Sequence, residues 1–260
     1  MKRLLLILFV VLVGKMAGGQ ELESKKDVVF RPGEVLKYRL RYGFVTAAEA
    51  TLNVVDSDLK LSNRPVYNLI AQGRTSGTFD IFYKVRNRYE SYIDKETLLP
   101  HLYSENIRES NYRRADKARF YQEQRKVVAN RGTFKGAEQT FDIVSAYYFA
   151  RNLDLTGVKT GTPLKMHYFL GDGISDLEIT YLGKERIKTP LGYFNCLKFS
   201  PSIEPGRIFR KDSKLYLWIT DDGNRIPVKA EVEILVGSVT MELTSANGLL
   251  YPLAVTKKKD

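Results

Sequence analysis

Apolar positions recur along this chain with a period of two. Leu36, Tyr38, Leu40 and Tyr42 alternate with Lys37, Arg39 and Arg41, the pattern of a strand with one buried and one wet face. Residues 48–55 continue it through Ala50, Leu52 and Val54, and Asn63-Arg64-Pro65 punctuates before a strand at 66–72. Residues 79–92 are rich in Phe, Tyr and Val, with charges interleaved at Lys84, Arg86, Arg88 and Glu90, and read as a further strand. Leu99-Pro100 breaks the run before a strand at 101–108, and 117–121 with 126–129 form a charged hairpin. In the second half, 164–170 and 177–182 flank Gly171-Asp172-Gly173, a hairpin signal because Asp-Gly tolerates positive φ. Segments 185–189 and 194–199 flank Pro190-Leu191-Gly192. Segments 215–219, 228–236 and 238–245 complete a set of about a dozen short strands.

One segment departs from the period. Residues 142–151 place Asp142 at an N-cap, apolar residues on nearly every side, and Arg151 in the last turn. That predicts a short buried helix plugging or covering the concave face of a curled sheet. The expected fold is all-β: one long antiparallel meander curled into an open barrel or β-roll, with one short buried helix near 142–151. No Pro, Gly or Ser linker divides the chain. One β-rich domain over 20–253 is therefore expected, followed by a basic disordered tail at 254–260.

The N-terminus adds a compartment. Lys2 and Arg3 precede an apolar run at 4–13, and Ala17-Gly18-Gly19 supplies small residues before Gln20. Residues 1–19 thus read as a cleaved signal peptide, too short in its apolar part for a membrane anchor. No later segment is apolar enough to span a bilayer, so an integral membrane protein is not expected. The predicted location is periplasmic or secreted. Removing Lys2, Arg3 and Lys15 from the formal charge of +11 leaves a mature chain at +8. The lone Cys196 permits no internal disulfide. A basic excess outside the cytoplasm suits an anionic lipid or glycan rather than nucleic acid.

Several residue sets together resemble a bacterial exported family, domain of unknown function 3108. They are Asp142 with Ser145-Ala146-Tyr147-Tyr148, the run from Thr189 to Cys196, Trp218-Ile219-Thr220-Asp221-Asp222, Arg225, Pro227-Val228 and Gly237-Ser238-Val239. The likeness runs from about Phe30 to Leu249. It implies an exported, mostly β envelope protein, and it brings no activity, cofactor or catalytic residue.

Candidate chemistry is sparse. His101 and His167 lie on separate strands without metal-ligand spacing. Cys196 sits in an apolar strand, as a core cysteine does. Asp221 and Asp222 are adjacent in a turn, where Asp serves local hydrogen bonding better than it serves paired-carboxylate catalysis. Trp218, Asp221, Asp222, Arg225 and Pro227 are therefore read as a structural turn motif, with Arg225 pairing with an Asp across the turn to pin the register. No cofactor or metal is expected. Residues 112–135 are strongly basic, and Arg113, Arg114, Lys117, Arg119, Arg125 and Lys126 form the candidate patch for an anionic partner.

The functional expectation is a non-enzymatic envelope protein that binds a hydrophobic or anionic component, lipid-like, on the curled sheet. A protein–protein scaffold or adhesion module that engages an envelope protein is the alternative. A hydrolase of envelope glycan is less favoured, because no catalytic constellation accompanies it.

Overall fold

The computed structural model describes Ser24 and residues 27–171, 173–202, 213–234 and 237–256. The segment at 1–19, read above as a signal peptide, lies outside the described residues, as does the end of the basic tail. Among the described residues, fifteen strands form one sheet. The first half supplies β1 (Val35–Tyr42), β2 (Val45–Leu61), β3 (Arg64–Thr75), α1 (Thr78–Phe82), β4 (Arg86–Asp94), β5 (Pro100–Glu109), β6 (Tyr112–Tyr121), β7 (Lys126–Ala129) and β8 (Gly132–Lys135). The two-residue strand β9 (Thr140–Phe141) and helix α2 (Ile143–Arg151) follow. The second half supplies β10 (Pro163–Leu170), β11 (Gly173–Thr189), β12 (Gly192–Pro201), β13 (Leu215–Thr220), β14 (Pro227–Glu233) and β15 (Ser238–Asn247).

The sheet is all-β and curled, and its long meander runs in two halves that meet at its middle. Strands β1 to β8 step outward on one side and β15 back to β9 on the other, and the halves join where β1 pairs with β15. Every pairing is antiparallel except the short parallel contact of β9 with β10. Curling follows from chain length. β8 and β9 are the two edges of the sheet, yet only residues 136–139 connect them. Fifteen flat strands would set those edges roughly 65 Å apart, whereas four residues span at most about 14 Å. The edges must approach. From the β6–β7 turn the Gln122 side chain ties that side of the sheet to β9, accepting from the Thr140 N–H at 3.1 Å and donating to the Thr140 carbonyl at 2.9 Å.

Alternation puts Leu36, Tyr38, Leu40, Leu52, Leu69, Ile93, Phe194 and Leu243 on the inner face. Among the described residues, the concave side of the curl is packed by one continuous hydrophobic core. Helix α2 packs there against β3, β4, β9 and β10, and Tyr148, Phe149 and Phe141 are fully buried with it. The helix forms where the sequence places it. Asp142 accepts from the N–H groups of Val144 and Ser145 at 2.8 and 3.0 Å, while Ser145 Oγ accepts from the Asp142 N–H at 2.9 Å, a reciprocal cap. Ser91 on β4 donates to the same carboxylate at 2.6 Å.

Two local expectations are corrected. The strand expected to start at Phe79 begins only at Arg86, and α1 occupies 78–82 instead. Gly77, at φ 57°, turns the chain off the end of β3. Asp80 then ties the excursion back, accepting from Thr75 Oγ1 at 2.7 Å and pairing with Arg86 at 2.7 Å. Arg225 does not pair with an Asp across its turn. It takes φ 49° and donates to the carbonyl of Leu153, just beyond α2, where helix ends leave acceptors without intrahelical partners.

Candidate functional site

The residues expected to form one basic patch do not share a face. On β6, Arg113, Lys117 and Arg119 are exposed, while Arg114 is turned inward against Glu105 at 2.7 Å. Neighbours on a strand point to opposite faces, so consecutive arginines cannot line one surface. Arg114 therefore belongs to the inner mouth of the curl, where burial pushes the Glu105 carboxyl up and the guanidinium beside it opposes that rise. Arg125 lies in the β6–β7 turn and pairs with Glu138 at 3.3 Å, and the Lys126 ammonium sits 4.8 Å over the Tyr121 ring.

The turn motif is structural in its geometry. Asp222 accepts from Thr220 Oγ1 at 2.7 Å and from the N–H groups of Asn224 and Arg225 at 3.0 and 3.1 Å. Asp221 points elsewhere and pairs with Lys184 at 2.6 Å. Pro227 is buried at the start of β14. Cys196 is fully buried, and burial pushes its thiol up to about 12, followed in effect by Asp222 and Asp221. Such a thiol supplies almost no thiolate near neutral pH. His101 lies 3.3 Å from Asp94 and His167 2.7 Å from Asp176. Among the described residues, no three His, Cys, Asp or Glu side chains converge as a metal site.

A different surface stands out. Cross-strand register aligns one row of side chains over the outer face. From β12 it runs Lys198, Trp218, Lys229, Glu242, Arg39, Glu49 and Arg74. Trp218 is clasped by the Lys198 and Lys229 ammonium groups at 5.0 and 4.8 Å. From Lys229 to Arg74 the charges alternate, as a stable sheet surface prefers. The alternation then stops. Arg74 faces Arg86, the Val85–Glu109 bridge sets Arg86 beside Arg108, and Arg108 faces Arg113.

Around this row the sheet forms an open groove of about 860 Å³. Its cationic lining is Lys37, Arg39, Arg74, Arg86, Arg88 and Arg108. Four of these have a carboxylate at hand. Arg74 meets Glu49 at 2.7 Å, Arg86 meets Asp80 at 2.7 Å, Arg88 meets Glu90 at 2.6 Å and Arg39 meets Glu242 at 3.5 Å. Among the described residues, Lys37 and Arg108 have none within salt-bridge distance. The Arg86 guanidinium, with help from Thr75, holds the Asp80 carboxyl down at about 2. Sequence reading found the wet faces of β1 and β4 but not their union. The available signal was paired basic residues at i and i+2 on β1 and β4, with Arg74 and Arg108 closing the strands beside them.

The family model for proteins of unknown function DUF3108 matches residues 37–244. The chain belongs to the DUF3108 family. Among solved structures, this DUF3108 chain is similar to a β-barrel-like protein of the DUF1849 family from Brucella abortus. That match has TM-score 0.56 and 8% identity, and it covers 85% of this chain and 98% of the other. The likeness establishes a shared barrel-like fold. A Bacteroides fragilis protein with a YmcC-like fold aligns at TM-score 0.40 and 9% identity, over 85% of this chain and 100% of that one. No curated protein matches this DUF3108 member significantly.

Proposed function

We propose that this DUF3108 protein is an exported, non-catalytic binder of an anionic component of the cell envelope, held along the arginines of the outer face. One observation carries the reading: the row in which Arg74, Arg86, Arg108 and Arg113 stand opposite one another. Like charges directly across a sheet are destabilising, and a multivalent anion relieves that repulsion. Guanidinium forks suit phosphate and carboxylate geometry. The packed concave side favours a ligand on the outside of the curl over one enclosed within it. A non-catalytic role is supported by the carboxylates of the groove. Glu49, Asp80 and Glu90 are each engaged by an arginine. The Arg86 guanidinium holds the Asp80 carboxyl down, and against the upward push of burial Arg88 holds Glu90 down, which opposes proton transfer. Export is supported by the signal-like segment at 1–19.

The test is a titration with two soluble anions, short-chain phosphatidylglycerol below its micelle concentration and dextran sulfate. Each charge-assisted hydrogen bond is worth about 1.5–3 kcal/mol, so Arg74→Ala/Arg108→Ala should weaken binding at least about tenfold. Raising salt should weaken the parent protein as well. Equal affinity in parent and variant, at equal melting temperature, overturns the proposal.

A further inference from the structure

The three most exposed large apolar side chains among the described residues are Phe44 at 97%, Phe82 at 84% and Ile81 at 81%, and the next, Leu59, is at 52%. Register gathers all three at one end of the sheet. Phe44 lies in the β1–β2 hairpin, where Tyr42 pairs with Val45. Ile81 and Phe82 lie on α1, which leaves β3 beside β2 through the Ser76 N–H donating to the Ala47 carbonyl at 3.1 Å. Two strand spacings, about 10 Å, separate the protrusions. Tyr42 and Val45 add half-exposed apolar surface at the same end.

This end of the sheet also carries the arginine row. Arg39 is three residues from the end of β1, Arg74 is one residue from the end of β3, and Arg86 opens β4. Arg108 and Arg113 flank the β5–β6 turn, and exposed Lys84 adjoins α1. Arg74, Arg86 and Arg108 thus stand within about one residue of their strand ends, and Arg39 stands about 10 Å below the last rung of the β1–β2 hairpin, at roughly 3.3 Å per residue. Interfacial segments bury about 5–10 Å into the headgroup and acyl boundary. With the tips at that depth, the guanidinium groups reach the level of lipid phosphates.

We propose that this end of the sheet docks on an anionic bilayer surface, with Phe44, Ile81 and Phe82 inserted at the acyl boundary and the Arg39–Arg74–Arg86–Arg108 row on the phosphates. The proposal rests on the anion-binding reading above and adds a membrane orientation to it. Apolar wedges with adjacent cations fit an anionic lipid surface by both burial and charge. A purely apolar protein groove would satisfy the three side chains and offer no counter-charge to Arg108, which has no carboxylate within salt-bridge distance among the described residues. Residues 78–82 also break the sheet pattern to place Ile81 and Phe82 in the open, where packing within the chain gains nothing from them.

Depth-resolved fluorescence tests this on the full mature chain. Phe44→Cys is labelled with an environment-sensitive dye, and Cys196 stays unlabelled because it is fully buried with its thiol pushed up to about 12. Vesicles containing phosphatidylglycerol should raise the dye emission, and brominated acyl chains should quench it. Pure phosphatidylcholine vesicles should do neither. Phe44→Ser/Ile81→Ser/Phe82→Ser changes only exposed positions. It should lose at least about tenfold in vesicle co-flotation while still binding short-chain phosphatidylglycerol. Soluble headgroup binding without flotation overturns the docking and leaves the anion-binding reading standing. Flotation without acyl-chain quenching overturns the insertion. A dimer in sedimentation that the triple variant abolishes, with no vesicle binding, overturns it in favour of a second copy of the chain. Loss of both soluble and vesicle binding in the parent sinks both readings together.

Discussion

Arg151 and Glu34 lie 117 positions apart and meet through two hydrogen bonds of 2.6 and 2.9 Å. Arg151 is 1% exposed and Glu34 not at all. Burial alone would pull the guanidinium down, but the carboxylate beside it holds the group above its ordinary value. The same guanidinium donates to the Asn224 carbonyl at 3.0 Å and lies within 6 Å of the Phe30, Tyr147 and Tyr148 rings. It fastens the end of α2 to the entry of β1 and to the turn before β14. Removing one partner of a buried pair leaves the other charge uncompensated, at a cost of about 3–5 kcal/mol. Glu34→Gln and Arg151→Met should therefore each lower the urea midpoint sharply, with Glu34→Gln/Arg151→Met less than additive. Additive losses in that double-mutant cycle would show that the two side chains act independently. Local chemistry was legible here: Asp142 announced its cap three residues ahead of Ser145. Glu34 gave no such signal, because its partner is set by tertiary packing and no period in the sequence points to it.

The elements repeat that division between local and non-local information. Alternation on β1, β5 and β12 identified strands within a residue or two, since one buried face imposes period two. It failed at 79–85, where Phe79, Ile81 and Tyr83 alternate but Gly77 turns the backbone away. The outer groove was hidden for a further reason. Arg39, Arg74, Arg86 and Arg108 sit on four strands, and only cross-strand register lines them up. The basic density at 112–135 was visible in the sequence but divides between faces on folding, with Arg113 outside and Arg114 inside. At this scale the Asp80–Arg86 pair, supported by Thr75, sets the base of α1. Its pairing holds the Asp80 carboxyl at about 2 in the fold, against about 3.9 for a free aspartate. A depressed carboxyl pKa stabilises above the unfolded value and ceases to as pH falls through the folded one. The tie is thus intact above about pH 4 and is lost toward pH 2. Carbon-detected NMR of the Asp80 carboxyl should give a midpoint near 2, moving toward the free value in Arg86→Ala. A midpoint near 4 in the parent would mean that the pair does not order α1 in solution.

At the scale of the whole molecule, the curl confronts an entropic problem. Its N-terminal and C-terminal strands pair in the middle of the sheet, so the contacts that join the halves, such as Leu36 with Ala246 and Leu40 with Met241, are among the most distant in sequence. The edges β8 and β9, by contrast, are close in sequence but lack a strand-to-strand ladder across the seam. Gln122 supplies one rung in place of the ladder, satisfying both the N–H and the carbonyl of Thr140, which is 2% exposed. Its amide also donates to the Pro100 carbonyl at 3.2 Å, tying the seam to β5. Gln122→Ala leaves buried backbone groups unsatisfied, a loss of about 1–3 kcal/mol. Where the loss appears depends on how the sheet comes apart. Opening energies differ between regions of a fold, and the seam has the shortest strands and the fewest backbone bonds. Hydrogen exchange in Gln122→Ala should accelerate at Thr140 and along β7, β8 and β9, while the amides of the β1–β15 pair keep their parent rates. Equal acceleration at β1 and β15 would mean that the curl opens only by global unfolding, with the seam and the central strands behaving as one cooperative unit.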